Sequence, residues 1–237
     1  MKGIILMFNF FTRIPIYIEY NEKDFSKGMY FLPLIGLIIG FFMYICSYIP
    51  VEKPIYVLFS WILYIWITGG LHLDGLADSF DGIFSNRNKE EILRIMKDSR
   101  IGTFGVIGLI IIILTNLIFS YYINYMYILI IPIIGRSSAL LSASISTYAK
   151  NTGMGYTFII HSNLKKFFIS LLLISPVLLL FNIYVLLPTI ITYIFVIYLT
   201  KKLSKKIGGM TGDTIGLVIE LSQTILLIAI YIFRGIL

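Results

Sequence analysis

The chain has 237 residues, of which 58% are hydrophobic and 13% charged, against roughly 45–50% and 25% in soluble domains. A soluble fold cannot hide that much apolar surface, and a lone cysteine, Cys46, cannot build a disulfide framework, so globule, disordered chain and disulfide scaffold are all excluded. The net charge of +7 is not a nucleic-acid footprint, because the basic residues sort by membrane side.

Taken in chain order, residues 1–29 read as an interfacial arm, helical or extended, with no signal-peptide cleavage site. A spanning helix needs about 20 mostly apolar residues. Such stretches cover residues 30–49, 55–71, 104–123, 125–145, 167–181, 183–200 and 214–233. The expected fold is therefore all-α: one membrane-embedded domain over 1–237, with about seven transmembrane helices. With the N-terminus in the cytoplasm, 17 of the 19 basic residues lie inside, and only Lys53 and Arg234 lie outside. That is the bias expected of a multi-pass protein of the cell membrane. Of the twelve acidic residues, only Glu52 falls outside, so the chemistry is expected at the cytoplasmic face, chiefly in segment 72–103.

That segment is entered through Gly69-Gly70-Leu71-His72-Leu73-Asp74-Gly75-Leu76-Ala77-Asp78-Ser79-Phe80-Asp81-Gly82. Asp74, Asp78 and Asp81 stand at i, i+4 and i+7, on one face of a helix. Like charges so placed repel, and holding them near a membrane edge is costly. A divalent cation offsets both. Carboxylates without cysteine suit magnesium, manganese or calcium, and magnesium fits best because it joins a few carboxylates to substrate phosphates. A solvated helix face with Asp74 as its cap is the plain alternative. His72, two residues before Asp74, is a catalytic candidate or a structural histidine.

Next come Lys97, Asp98, Ser99 and Arg100, just ahead of Gly102 and Gly105 and a span. Lysine and arginine there suit phosphate oxygens. Arg136 lies within an apolar span and is a functional candidate by position. Its partner is either Glu220 or a substrate phosphate, and the cytoplasmic half of the span favours phosphate. Gly153 and Gly155 fall in a glycine-rich turn, and Asp213 opens the last span seven residues before Glu220. Asp98 or Asp213 could accept a proton. Together these residues describe a metal-dependent phosphoryl or phosphodiester transfer.

The ordered motifs Phe11-Thr12-Arg13-Ile14-Pro15, Gly70 through Gly82, Met96 through Gly102, Gly135-Arg136, Gly153-Met154-Gly155 and Gly209 through Asp213 with Glu220 resemble cobalamin synthase, the adenosylcobinamide-GDP ribazoletransferase family, over nearly the whole chain. The resemblance implies a magnesium-requiring transfer. A ribose hydroxyl of α-ribazole, or of its 5′-phosphate, attacks adenosylcobinamide-GDP and GMP leaves. It implies metal binding by Asp74, Asp78 and Asp81, and substrate or phosphate contacts from Arg13, Lys97, Ser99, Arg100, Arg136, Gly153, Gly155 and Glu220. The expected partners are those two substrates and the lipid bilayer, not nucleic acid, with oligomerisation left open. A phospholipid-making alcohol phosphotransferase is the nearest alternative, but its Asp-Gly-x-x-Ala-Arg signature is not met. A cation- or proton-coupled transporter would carry charge deep in several spans, whereas here charge gathers at one rim.

Overall fold

The computed structural model describes residues 2–149, 154–178 and 180–235. Twelve α-helices form among them: α1 (Lys2–Phe11), α2 (Glu22–Gly28), α3 (Leu32–Ile45), α4 (Lys53–Thr68), α5 (Leu71–Phe84), α6 (Lys89–Ile95), α7 (Thr103–Tyr122), α8 (Ile131–Ser144), α9 (Met154–His161), α10 (Leu164–Leu178), α11 (Leu186–Ile207) and α12 (Gly212–Phe233). The protein is all-helical, as its composition requires of a chain that must satisfy its own backbone in lipid.

Five helical runs are long and apolar enough to cross a membrane: Glu22–Tyr48, Thr103–Tyr122, Tyr125–Ser144, Ile183–Ile207 and Gly212–Phe233. Two bent pairs, Lys53–Thr68 with Leu71–Phe84 and Gly155–His161 with Leu164–Leu178, raise the number to seven if each is one span. The expected seven stretches are thus recognisable, with shifted ends. The first run begins at Glu22 because α2, a 3-10 turn at Met29–Phe31 and α3 follow without a break. The arm is helical only over α1 and α2.

The 87° bend between α4 and α5 has a local cause. Gly69 and Gly70 both adopt left-handed backbone, at φ 66° and 71°, which side chains with a Cβ rarely tolerate. Gly69 caps α4 by donating to the Ile65 and Trp66 carbonyls, the usual glycine helix stop. The chain then starts α5 in a new direction.

α12 is the hub and packs against α5, α8, α11 and α7, while α3 packs against α8, α4 and α10. α8 is the most enclosed span, with every residue from Ile131 to Ala143 buried. α12 and α5 approach so closely that a Cβ on Gly75 would lie 2.8 Å from the Asp213 carbonyl oxygen, and one on Gly216 would lie 3.1 Å from that of His72. The aspartate helix is thereby laid along the first two turns of α12. Its far end is held by Lys206, whose ammonium donates to the Ile83 carbonyl at 2.6 Å, a cation at a helix C-terminus.

Candidate active site at one end of the bundle

Separated sequence segments meet where α5 packs on the start of α12. The start of α12 touches α5 at Gly75, as described. The segment after α8 pairs with the turn before α12, Ala149 N–H donating to the Met210 carbonyl and Met210 N–H to that of Thr147, both at 2.8 Å. Gly155 of α9 lies against Gly212, where a Cβ would come within 2.8 Å of the Gly212 nitrogen. The N-terminus of α7 is bound to Asp81. Gly155 is helical here and not in the expected turn, and Gly153 lies outside the described residues.

The carboxylates are crowded. Asp78 is part-buried, and the charges of Asp74, Asp213 and Asp81 all bear on it. Asp74 is exposed. Asp213, a candidate base on sequence grounds, therefore belongs to the same acidic group as the three aspartates of α5, brought there by the α5–α12 contact. Its Oδ2 accepts the Thr211 hydroxyl at 3.3 Å. Among the described residues, no three His, Cys, Asp or Glu side chains are drawn tightly enough to form a metal cage. Separated oxygen donors of one charge suit an ion that keeps its waters and is completed by substrate phosphate.

Asp81 has a further task. Its two oxygens accept the N–H groups of Gly102 at 2.7 Å and Gly105 at 2.8 Å, so it caps the first turn of α7 from a neighbouring helix. A carboxylate at that position also meets the positive end of the helix dipole.

Asp98 is half-buried and committed to Arg100. The guanidinium donates to both of its oxygens, at 3.0 and 2.7 Å, and the Arg100 backbone N–H adds a third bond at 3.0 Å. These bonds pull the Asp98 carboxyl down to about 2. So weak a base accepts an alcohol proton poorly near neutrality. Lys97 and Ser99 are exposed beside it. Arg13 is exposed too, and its backbone N–H donates to the Ile67 carbonyl at 2.7 Å. Its side chain lies against Gly69, where an added Cβ would meet Arg13 Cβ at 3.1 Å, at the elbow that leads into the aspartate helix.

His72, Arg136 and Glu220 are placed differently. His72 is buried, its ring 5.6 Å from that of Phe11, and its Nδ1 has no hydrogen-bond partner among the described residues. Arg136 is completely buried, which takes it away from a position where a phosphate in solution could meet it. Neither does it form an ion pair with Glu220. Tyr64 stands between them: its hydroxyl donates to Glu220 Oε1 at 2.7 Å and accepts from Gln223 Nε2 at 2.8 Å. Arg136 reaches the Tyr64 hydroxyl at 3.4 Å and Gln223 Oε1 at 3.5 Å, and lies 5.5 Å from the Tyr64 ring centre. Tyr64 and Gln223 escape a sequence reading, Tyr64 because it is one aromatic among many in an apolar span. Gln223 left a faint signal as a second polar residue one helical turn beyond Glu220.

A multi-pass helical protein that gathers carboxylates, cations and glycine-edged turns at one end belongs by class to the membrane-embedded enzymes. More particularly, the chain belongs to the cobalamin-5-phosphate synthase family, whose sequence profile matches residues 3–231, and it is a transferase of cobalamin biosynthesis. Relatives called adenosylcobinamide-GDP ribazoletransferase include one from Alkaliphilus oremlandii, 49% identical over 100% of this chain and 99% of its own length. Those from Clostridium acetobutylicum and Acetivibrio thermocellus are 41% and 40% identical, each over 99% of this chain and 98% and 99% of their own. No solved structure matches the chain.

Proposed function

We propose that the chain joins adenosylcobinamide-GDP to α-ribazole, or to its 5′-phosphate, with release of GMP. The observation that carries the reading is the convergence of Asp74, Asp78, Asp81 and Asp213 on one another in a chain whose full-length relatives bear that activity in their name. A ribose hydroxyl oxygen bonds to the phosphorus next to the corrinoid's aminopropanol arm. The bond from that phosphorus to the bridging oxygen breaks, and GMP leaves with the oxygen and its electron pair. Asp213 accepts the hydroxyl proton. Asp74 and Asp78 would hold magnesium, which when bound neutralises charge across the diphosphate. Asp81 sets the start of α7 against α5, and so orients the Lys97–Arg100 segment that precedes it. Lys97, Arg100 and Arg13 contact phosphate oxygens, with Ser99 and Gly155 beside them. Arg136 and Glu220 act from beneath as a support of the α4–α8–α12 junction. The positive-inside bias supports a cell-membrane protein whose active end faces the cytoplasm.

The test is to incubate purified protein in detergent with adenosylcobinamide-GDP, α-ribazole and magnesium, and to follow GMP and the corrinoid product. Formation of both, dependent on magnesium and on α-ribazole, is the expected result. Absence of GMP with either form of the acceptor would sink the reading.

A further inference from the structure

A cavity of about 290 Å³, lined by Glu22, Lys23, Ser26, Lys27 and His161, opens between α2 and the end of α9. It shares no residue with the acidic group. Behind Ser26 lies Lys166, only 7% exposed. Its ammonium donates to Ser26 Oγ at 2.6 Å and to the His161 carbonyl at 2.7 Å, with Met29 Sδ at 3.9 Å and the Tyr30 ring 5.8 Å away. All of those groups are neutral. Among the described residues no carboxylate comes within ion-pair distance of Lys166. Its hydrogen bonds are made, yet its charge is not compensated, and a buried charge without a counter-ion is costly.

The cavity supplies what such a charge lacks. Lys23 and Lys27 stand four residues apart on α2, and neither has an ion-pair partner among the described residues. Glu22, the carboxylate in the lining, is taken up by His161 Nε2 at 2.8 Å. Ser26 Oγ accepts from Lys166 and therefore keeps its own proton to donate, for which no acceptor is found among the described residues. Two ammonium groups and a hydroxyl donor over a buried positive charge suit a tetrahedral phosphate oxyanion, which accepts from several directions at once. We propose that this cavity binds a phosphate group, held by Lys23, Lys27 and Ser26 above Lys166. Two sources carry that chemistry at a membrane surface: a phospholipid headgroup and a soluble phosphate.

The experiment uses the full chain and the exposed pair, Lys23→Ala with Lys27→Ala, which leaves the buried Lys166 in place so that folding is preserved. Inorganic phosphate is titrated at constant ionic strength into detergent-solubilised wild type, the double variant and a Lys202→Ala/Lys205→Ala control that removes the same charge from exposed positions of α11, with binding read by calorimetry. In parallel, wild type and double variant are reconstituted with phosphatidylglycerol and phosphatidylcholine, extracted, and the retained lipid is quantified by mass spectrometry. The expected result is that the α2 pair weakens phosphate binding roughly tenfold or more, about one factor of ten in affinity per 1.4 kcal/mol, while the control does not. Selective loss of retained phosphatidylglycerol in the double variant would support the site with the headgroup as its source. Equal phosphate affinity and equal lipid retention in wild type and double variant would overturn the proposal.

Discussion

Two charged regions of this protein solve opposite problems. In the middle of the bundle, Arg136 and Glu220 are buried near each other, and neutral partners stand between them: Tyr64 and Gln223 share out the hydrogen bonds. At the rim, Asp74, Asp78, Asp81 and Asp213 are all of one sign. The first region is satisfied in part by its neutral neighbours, while Arg136 Nε and Nη2 and Glu220 Oε2 have no partner among the described residues. The second holds Asp81 by the Gly102 and Gly105 N–H groups, but among the described residues no cation forms an ion pair with Asp78, on which the other three charges bear. A charge that completes its interactions within the fold serves stability. A group of like charges that cannot do so is where binding energy is waiting to be used.

The sharpest way to break this comparison is to remove one rim carboxylate. Asp78→Asn relieves repulsion as it removes a ligand, so its melting temperature in detergent should hold or rise while transfer falls about a thousandfold or more, the equivalent of several kcal/mol. Activity retained at saturating magnesium would show that the rim does not share a metal.

In the buried region the expected effects are reversed. Arg136→Ala should cost about 2–5 kcal/mol of stability through the cavity left at a completely buried site, and the material that remains folded should bind corrinoid substrate with near wild-type KM. A stable variant with weakened binding would instead return Arg136 to a phosphate role. Tyr64→Phe removes only the shared hydroxyl, which leaves Glu220 Oε1 and Gln223 Nε2 short of a partner. It should cost about 1–3 kcal/mol, seen as a lower melting temperature with little change in kcat.

The smallest effect is expected at Asp98. Its carboxyl is held below the unfolded value of about 3.9 by Arg100. Whatever this pair contributes is therefore present above about pH 4 and lost as pH falls through about 2. Asp98→Asn should leave the shape of the pH–rate profile between pH 5 and 8 unchanged, and disappearance of the acid limb in that variant would make Asp98 the base after all.

Much of this was legible in the amino-acid order. Apolar stretches of spanning length fix a helical membrane protein, because lipid offers the backbone no other partner. The i, i+4, i+7 aspartates fix a one-sided acidic face, because helical periodicity alone decides which side chains share a stripe. Contacts between distant segments were decided only by the tertiary structure. Asp213 joins the acidic group because Gly75 lets α12 approach α5. Asp81 becomes a cap because the loop after α6 returns the N–H groups of Gly102 and Gly105 to it. Arg136 meets Tyr64, 72 residues earlier, and Gln223, 87 residues later. Periodicity reports which face of a helix a residue occupies, but the partner facing it depends on how the helices pack, and that information is spread over the whole chain.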